Sequence, residues 1–126
     1  MRSLSLKLAA VLVAVLSALT LTAVPANAAT TAWNDCPSGY FCAWSEDGAT
    51  GRFAKWEFDD SNWTDDLMHD DADSLFNNGT AGTYDDVAVY TDVDYRNYSF
   101  CVPNGEKYDW YMNDNEYDSH LWRSGC

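Results

Sequence analysis

The stretch with the most to say about chemistry is Tyr98-Ser99-Phe100-Cys101-Val102-Pro103-Asn104-Gly105. Phe100, Cys101 and Val102 have the aromatic and β-branched character of a strand, and Pro103-Asn104-Gly105 is turn chemistry. Proline fixes φ, and a disulfide at Cys101 would tie the end of the strand. The backbone would then be held extended, with little freedom left to lose. Two chemistries suit such a segment. One is a plain sheet edge that carries a disulfide. The other is a substrate-shaped loop that a protease grips without digesting productively.

Catalysis by this chain is not expected. It has no Gly-x-Ser-x-Gly elbow, no His-Glu-x-x-His helix and no phosphate loop. Glu46-Asp47, Asp59-Asp60 and Asp65-Asp66 pair carboxylates as a glycosidase does, but adjacent acids are common in so acidic a chain. No cofactor is required by anything in the sequence. Zinc is disfavoured because paired Cys-x-x-Cys clusters are missing and His69 and His120 stand alone. Cys36, Cys42, Cys101 and Cys126 therefore read as disulfides, and more than one connectivity is open to them. Cys36 and Cys42 enclose the turn residues Pro37-Ser38-Gly39 and are expected to pair locally. Cys101 then pairs with Cys126, which pins the C-terminus beneath the Cys101-Val102 segment.

The elements that must position this segment begin after a leader. Arg2 and Lys7 form a basic start, Leu8 to Val24 is an apolar run, and Ala26-Asn27-Ala28 is a small-residue cleavage site. Residues 1–28 read as a signal peptide and residues 29–126 as one exported domain. Removing the leader takes away two basic residues and no acidic ones, so the net charge moves from −13 to −15. Nucleic acid and anionic membrane are excluded as ordinary partners, because such a charge repels phosphates. Calcium or a cationic partner remains compatible, as does a solvated acidic face that keeps an exported monomer soluble.

Short aromatic or β-branched runs follow one another between Gly, Asn, Asp and Ser clusters. They cover Tyr40 to Trp44, Arg52 to Phe58, Leu75 to Asn77, Val87 to Tyr90, Tyr98 to Val102, Trp110 to Met112 and His120 to Arg123. No stretch carries a helical period, so an all-β sandwich is expected. Laying Trp44 on Tyr90 exposes an internal repeat. Gly51 follows Trp44 at the distance Asn97 follows Tyr90, and both are residues that tolerate positive φ. Met68-His69-Asp70-Asp71-Ala72-Asp73-Ser74 resembles Met112 to Ser119, with one extra residue in the second copy. Asn77-Asn78-Gly79-Thr80 reads as the connecting turn. Two units of about 40 residues with roughly four strands each suggest paired Greek keys packed face to face.

An aromatic, then Gly, then an Asp/Asn-rich loop ending in Ser resembles the βγ-crystallin motif. The wider pattern is closer still. Cys36-Pro37-Ser38-Gly39-Tyr40-Phe41-Cys42-Ala43-Trp44, the Asn77-Asn78-Gly79-Thr80 turn and Cys101-Val102-Pro103 resemble the exported inhibitors of the Streptomyces metalloproteinase inhibitor family. The resemblance spans essentially the whole mature chain. It implies a disulfide-stabilised βγ-crystallin-like fold and inhibition of a secreted, thermolysin-like zinc metalloprotease. It also implies that Cys101-Val102 is the reactive bond. Such an enzyme cleaves before a medium-sized apolar side chain while its zinc polarises the carbonyl just upstream. Val102 would be the pocket anchor, the Cys101 carbonyl would face the zinc, and Phe100 and Pro103 would flank them.

The rival function is a calcium-binding structural, cell-surface or antifungal module without inhibitory activity. Calcium takes about six to eight oxygens, which acidic loops supply. The candidates are Asp70, Asp73 and Ser74 in the first copy, and Asn113, Asp114 and Asp118 in the second. His69 stands where a carboxylate or amide is expected, and the second loop is a residue too long. Trp33, Trp44, Trp56, Trp63, Trp110 and Trp122 read chiefly as filling for a small two-sheet core rather than a sugar platform. Trp63, beside Asn62, is a candidate for exposure.

Overall fold

The computed structural model describes residues 32–109 and 116–126. The leader, the 110–112 strand, and Asn113 and Asp114 lie outside the described residues. Among the described residues, seven strands follow a short 3₁₀ turn at Ala32–Asp35: β1 Tyr40–Glu46, β2 Thr50–Trp56, β3 Ser74–Asn78, β4 Asp86–Asp92, β5 Arg96–Val102, β6 Lys107–Tyr108 and β7 Ser119–Arg123. They form two antiparallel sheets, β2-β1-β3-β6 and β5-β4-β7.

Each half of the chain lends a segment to the sheet of the other. β6, from the second half, pairs with β3 through Leu75 with Tyr108 and Phe76 with Lys107. From the first half, Asp60 bridges His120 in β7, with both backbone hydrogen bonds made at 2.9 and 3.0 Å. This exchange joins the two units into one sandwich, an arrangement that a chain of separate hairpins would lack.

β1 shows why the core is double. Its alternating side chains are buried on both faces. Phe41 and Ala43 enter the layer between the sheets, with Trp56, Trp63, Met68, Leu75, Val87, Val89 and Val102. Cys42 and Trp44 point the other way, into a smaller cluster with Cys36 and Ala49. The 3₁₀ turn closes that outer face: Trp33 meets Trp44 edge-on with ring centroids 5.1 Å apart. The Cys36–Cys42 bridge holds this cover to the strand it covers. Trp63 is fully buried rather than exposed, because its ring stacks on Trp56 at 4.7 Å inside the inter-sheet layer.

The repeat is visible in the two hairpins. Trp44 pairs with Ser74 in the ladder, and Tyr90 pairs with Ser119. Gly48, Ala49 and Gly51 in the first hairpin have positive φ, as do Asp94, Tyr95 and Asn97 in the second. Ser74 Oγ donates to Glu46 O at 2.7 Å and accepts from Ala49 N at 3.1 Å. Ser119 Oγ donates to Asp92 O at 2.6 Å and accepts from Tyr95 N at 3.2 Å. One buried hydroxyl thus folds each hairpin back onto its own sheet. Asn77 and Asn78 complete β3 instead of forming the connecting turn.

Replacing either hydroxyl strands a buried N–H and C=O together, which costs about 1–3 kcal/mol. Ser74→Ala and Ser119→Ala are each expected to lower unfolding free energy by that amount in chemical denaturation. Unchanged midpoints for both would remove the hydroxyls from this role.

Candidate functional site

Among the described residues, β5 lies at the edge of its sheet and pairs with β4 alone. Val102 faces Val87, Cys101 faces Ala88, Phe100 faces Val89 and Tyr98 faces Tyr90, with an irregularity between Val89 and Tyr90. Burial rises along the strand: Arg96 to Ser99 are exposed, Phe100 and Cys101 are half-buried, and Val102 is buried. Aromatic contacts thicken toward the same end, with Phe100 edge-on to Tyr108 at 5.8 Å and to Tyr117 at 5.2 Å.

Both sides of the Cys101-Val102 bond are clamped. Upstream, Cys101 is bonded to Cys126, with Cα atoms 5.6 Å apart. Downstream, Asn77 is fully buried, and its Nδ2 donates to Val102 O at 2.9 Å and Asp85 O at 2.8 Å. Its Oδ1 accepts from Gly79 N at 3.0 Å. The Asp86 carboxylate ties the two sides together, accepting from Asn104 N at 2.9 Å and from Cys126 N at 2.6 Å. Gly105, at φ 81°, closes the turn by donating to Asn77 O at 2.8 Å. Asn77 and Asp86 carry much of this geometry. The sequence places Asn77 in a turn and gives Asp86 no role, because an Asn in a turn-like run and one Asp among many give no signal of burial.

The expected roles of the loop residues differ in two respects. Val102 has no exposed surface and belongs to the inter-sheet core. It is therefore not presented as a pocket anchor in the folded conformation. The Cys101 carbonyl also has a partner, the Tyr108 hydroxyl at 3.4 Å. Strand period explains this. Once Phe100 turns toward the core, Val102 shares its face.

The described residues of the two acidic loops, offered above as candidate calcium sites, meet across the halves. Asp70 and Asp118, from opposite halves, come together around His69. The His69 Nδ1 contacts Asp118 Oδ1, its Nε2 lies 3.2 Å from Asp70 Oδ2, and Asp70 N donates to Asp118 Oδ1 at 3.3 Å. Burial pushes the Asp118 carboxyl above the usual range, and the His69 hydrogen bond opposes that. Ser74 Oγ is taken up by the hairpin and by Asp109 Oδ1 at 3.1 Å. Asp73 is raised by burial and by the charges of Asp47, Glu46 and Asp109. An imidazole wedged between the two carboxylates, and a hydroxyl already engaged, do not make the all-oxygen shell calcium requires. The described residues of this cluster do not fit the ion.

His120 is the other titratable group of note. Its ring is wholly buried beside Phe41, Trp56 and Trp63. Trp63 Nε1 donates to Nδ1 at 2.9 Å, and Nε2 donates to Phe58 O at 3.1 Å, which fixes one neutral tautomer. A second proton would set N–H against N–H without solvent. Burial accordingly lowers the pKa from 6.5 to about 3.

Comparison with known proteins bears on the family and the fold. Residues 29–102 match Peptidase inhibitor family I36. The chain belongs to that family, the Streptomyces metalloproteinase inhibitor family, and is a peptidase inhibitor rather than an enzyme. The match ends at Val102, the last residue of β5. Among solved structures, a βγ-crystallin from Ciona intestinalis is similar with TM-score 0.56 and 18% identity, covering 68% of this chain and 100% of that one. A structure described under the evolution of the eye lens βγ-crystallin domain fold is similar with TM-score 0.59 and 8% identity, covering 72% and 92%. These likenesses establish the βγ-crystallin fold. No curated protein sequence matches the chain.

Because the folded pKa of His120 is depressed, the unfolded chain takes up its proton first as pH falls below 6.5. Stability is then lost as pH falls from 6.5 toward 3, by about 2 kcal/mol between pH 6.5 and 5. Urea titrations across that interval should show this slope in the wild type, and a smaller slope by that amount in His120→Gln. Equal slopes would contradict the assignment.

Proposed function

We propose that this protein is secreted, with residues 1–28 removed, and as a monomer inhibits a thermolysin-like zinc metalloprotease by offering β5 up to Cys101-Val102 as a substrate-shaped segment. The observation that carries this reading is the double clamp on that bond. Cys101 is held through Cys126 and Asn104 through its own N–H, and both routes end on the Asp86 carboxylate. A cut between Cys101 and Val102 would leave both new ends tethered to one side chain, so re-forming the bond competes with release. Inhibition then comes from holding the cut ends together, with no chemistry performed by the inhibitor.

The enzyme first meets the edge of β5, where Arg96 to Ser99 are exposed and, among the described residues, paired on one side alone. Full engagement requires the end of the strand to lift. Val102 leaves the core at a cost of about 2 kcal/mol, and the Tyr108 hydroxyl gives up the Cys101 carbonyl to the zinc. That cost slows cleavage, which suits an inhibitor. It also makes Val102→Asp a poor probe, since a buried charge would unfold the domain before it tested docking.

Titration of the mature protein into thermolysin is expected to abolish peptide hydrolysis at stoichiometric amounts. Prolonged incubation should add the mass of one water, with the pieces staying together until reduction frees a fragment beginning Val-Pro-Asn-Gly. A Cys101→Ser, Cys126→Ser double variant should be digested roughly a hundredfold faster, in line with about 3 kcal/mol of lost restraint. Unimpeded hydrolysis of the reporter peptide, or scission elsewhere with free fragments, would overturn the proposal.

A further inference from the structure

Away from β5, a cleft of about 480 Å³ is lined by Phe58, Asp59, Tyr84 and Trp122. Phe58 and Trp122 are anchored from beneath. The Phe58 carbonyl accepts from the buried His120 Nε2 at 3.1 Å, while the residue as a whole is 74% exposed. Trp122 packs so closely on Gly79 that no Cβ would fit there, and it forms the half-buried floor. Tyr84 is 69% exposed. Asp59 is held by its own floor, accepting from Trp122 N at 2.7 Å through Oδ1. Two large aromatic rings kept in solvent beside an oriented carboxylate cost free energy that folding does not recover.

We propose that this cleft docks an arginine side chain presented by a basic partner protein. The flat guanidinium stacks on aromatic faces and forks onto a carboxylate, two demands that Phe58, Tyr84, Trp122 and Asp59 meet together. Charge settles the class of partner. The domain without its leader carries −15, which repels a second copy of itself and every polyanion while drawing in cationic surfaces. Lysine, a compact and strongly hydrated point charge, gains less from the rings. The inference is independent of the peptidase reading, since the cleft shares no residue with β5.

The probes are acetyl-Arg-Arg-Arg-amide, the matching lysine peptide and chitotriose, each added to ¹⁵N-labelled mature protein and followed by NMR. The arginine peptide is expected to give saturable shifts at the Trp122 indole N–H and at the Phe58, Asp59 and Tyr84 amides. The lysine peptide should bind roughly threefold to tenfold more weakly. Asp59→Asn keeps the acceptor for Trp122 N but removes the charge, and should weaken binding by a similar factor. Phe58→Ser with Tyr84→Ser, both at exposed positions, should abolish the local shifts while leaving the rest of the spectrum in place. Shifts spread evenly over the acidic surface, equal binding of the two peptides, or a response to chitotriose alone would overturn the assignment.

Discussion

Two polar side chains that see no solvent, Asn77 and His120, stand where the halves of this chain exchange segments. Asn77 N donates to Glu106 O and its carbonyl accepts from Gly105 N, while His120 exchanges both backbone bonds with Asp60. In each case the side chain then reaches further. Asn77 holds the carbonyls of Asp85 and Val102, and His120 holds Phe58 while receiving Trp63. A buried amide or imidazole is expensive unless every partner is present, so these residues favour one register of the exchange over neighbouring ones. An apolar residue at either place would fill the volume and specify nothing.

The candidate inhibitory bond depends on the first of these seams. Asn77 fixes the Val102 carbonyl and receives the Gly105 turn, so the end of β5 cannot shift without disturbing β3. The Cys101–Cys126 bridge acts on the other side of the bond, closing a 25-residue separation. A covalent link alone limits how far a cut end can travel; the hydrogen bonds to Asn77 and Asp86 determine where it rests. Tight binding by a substrate-shaped segment needs both, because restraint without placement leaves entropy to be lost on association.

The fold was legible where chemistry repeats along the chain. The alternating strands, the positive-φ positions Gly51 and Asn97, and the serines that end the two loops all announce paired hairpins. Ser74 and Ser119 accordingly occupy matching ladder positions, opposite Trp44 and Tyr90. What escaped was burial of polar groups. Asn77 looked like turn material, and His120 looked isolated because its partners, Trp63 and Phe58, are distant in sequence. Val102 escaped for a related reason. The composition of a strand end says that it is apolar, but only the register against Val87 decides which face it takes. The meeting of Asp70 with Asp118 across the halves was hidden by reading each acidic loop as a closed unit.

The acidic surface works against the fold and toward recognition at once. Burial and neighbouring acids push Asp60, Asp73 and Asp118 above their ordinary range, which means that their ionised forms weigh on the native state at neutral pH. So few basic residues cannot neutralise that charge: one is Arg52, paired with Asp71 at the surface, and another is Lys107, lying 4.8 Å over the Phe76 ring. A core of this size has little surplus with which to absorb the repulsion. The two disulfides restrain the unfolded chain instead, which lets the native domain keep a field that would otherwise open it. That field extends over about a Debye length and raises the rate at which a cationic surface finds the molecule, before any specific contact is made. Cross-linking and charge are thus coupled in this protein: the bridges make so acidic a surface tolerable.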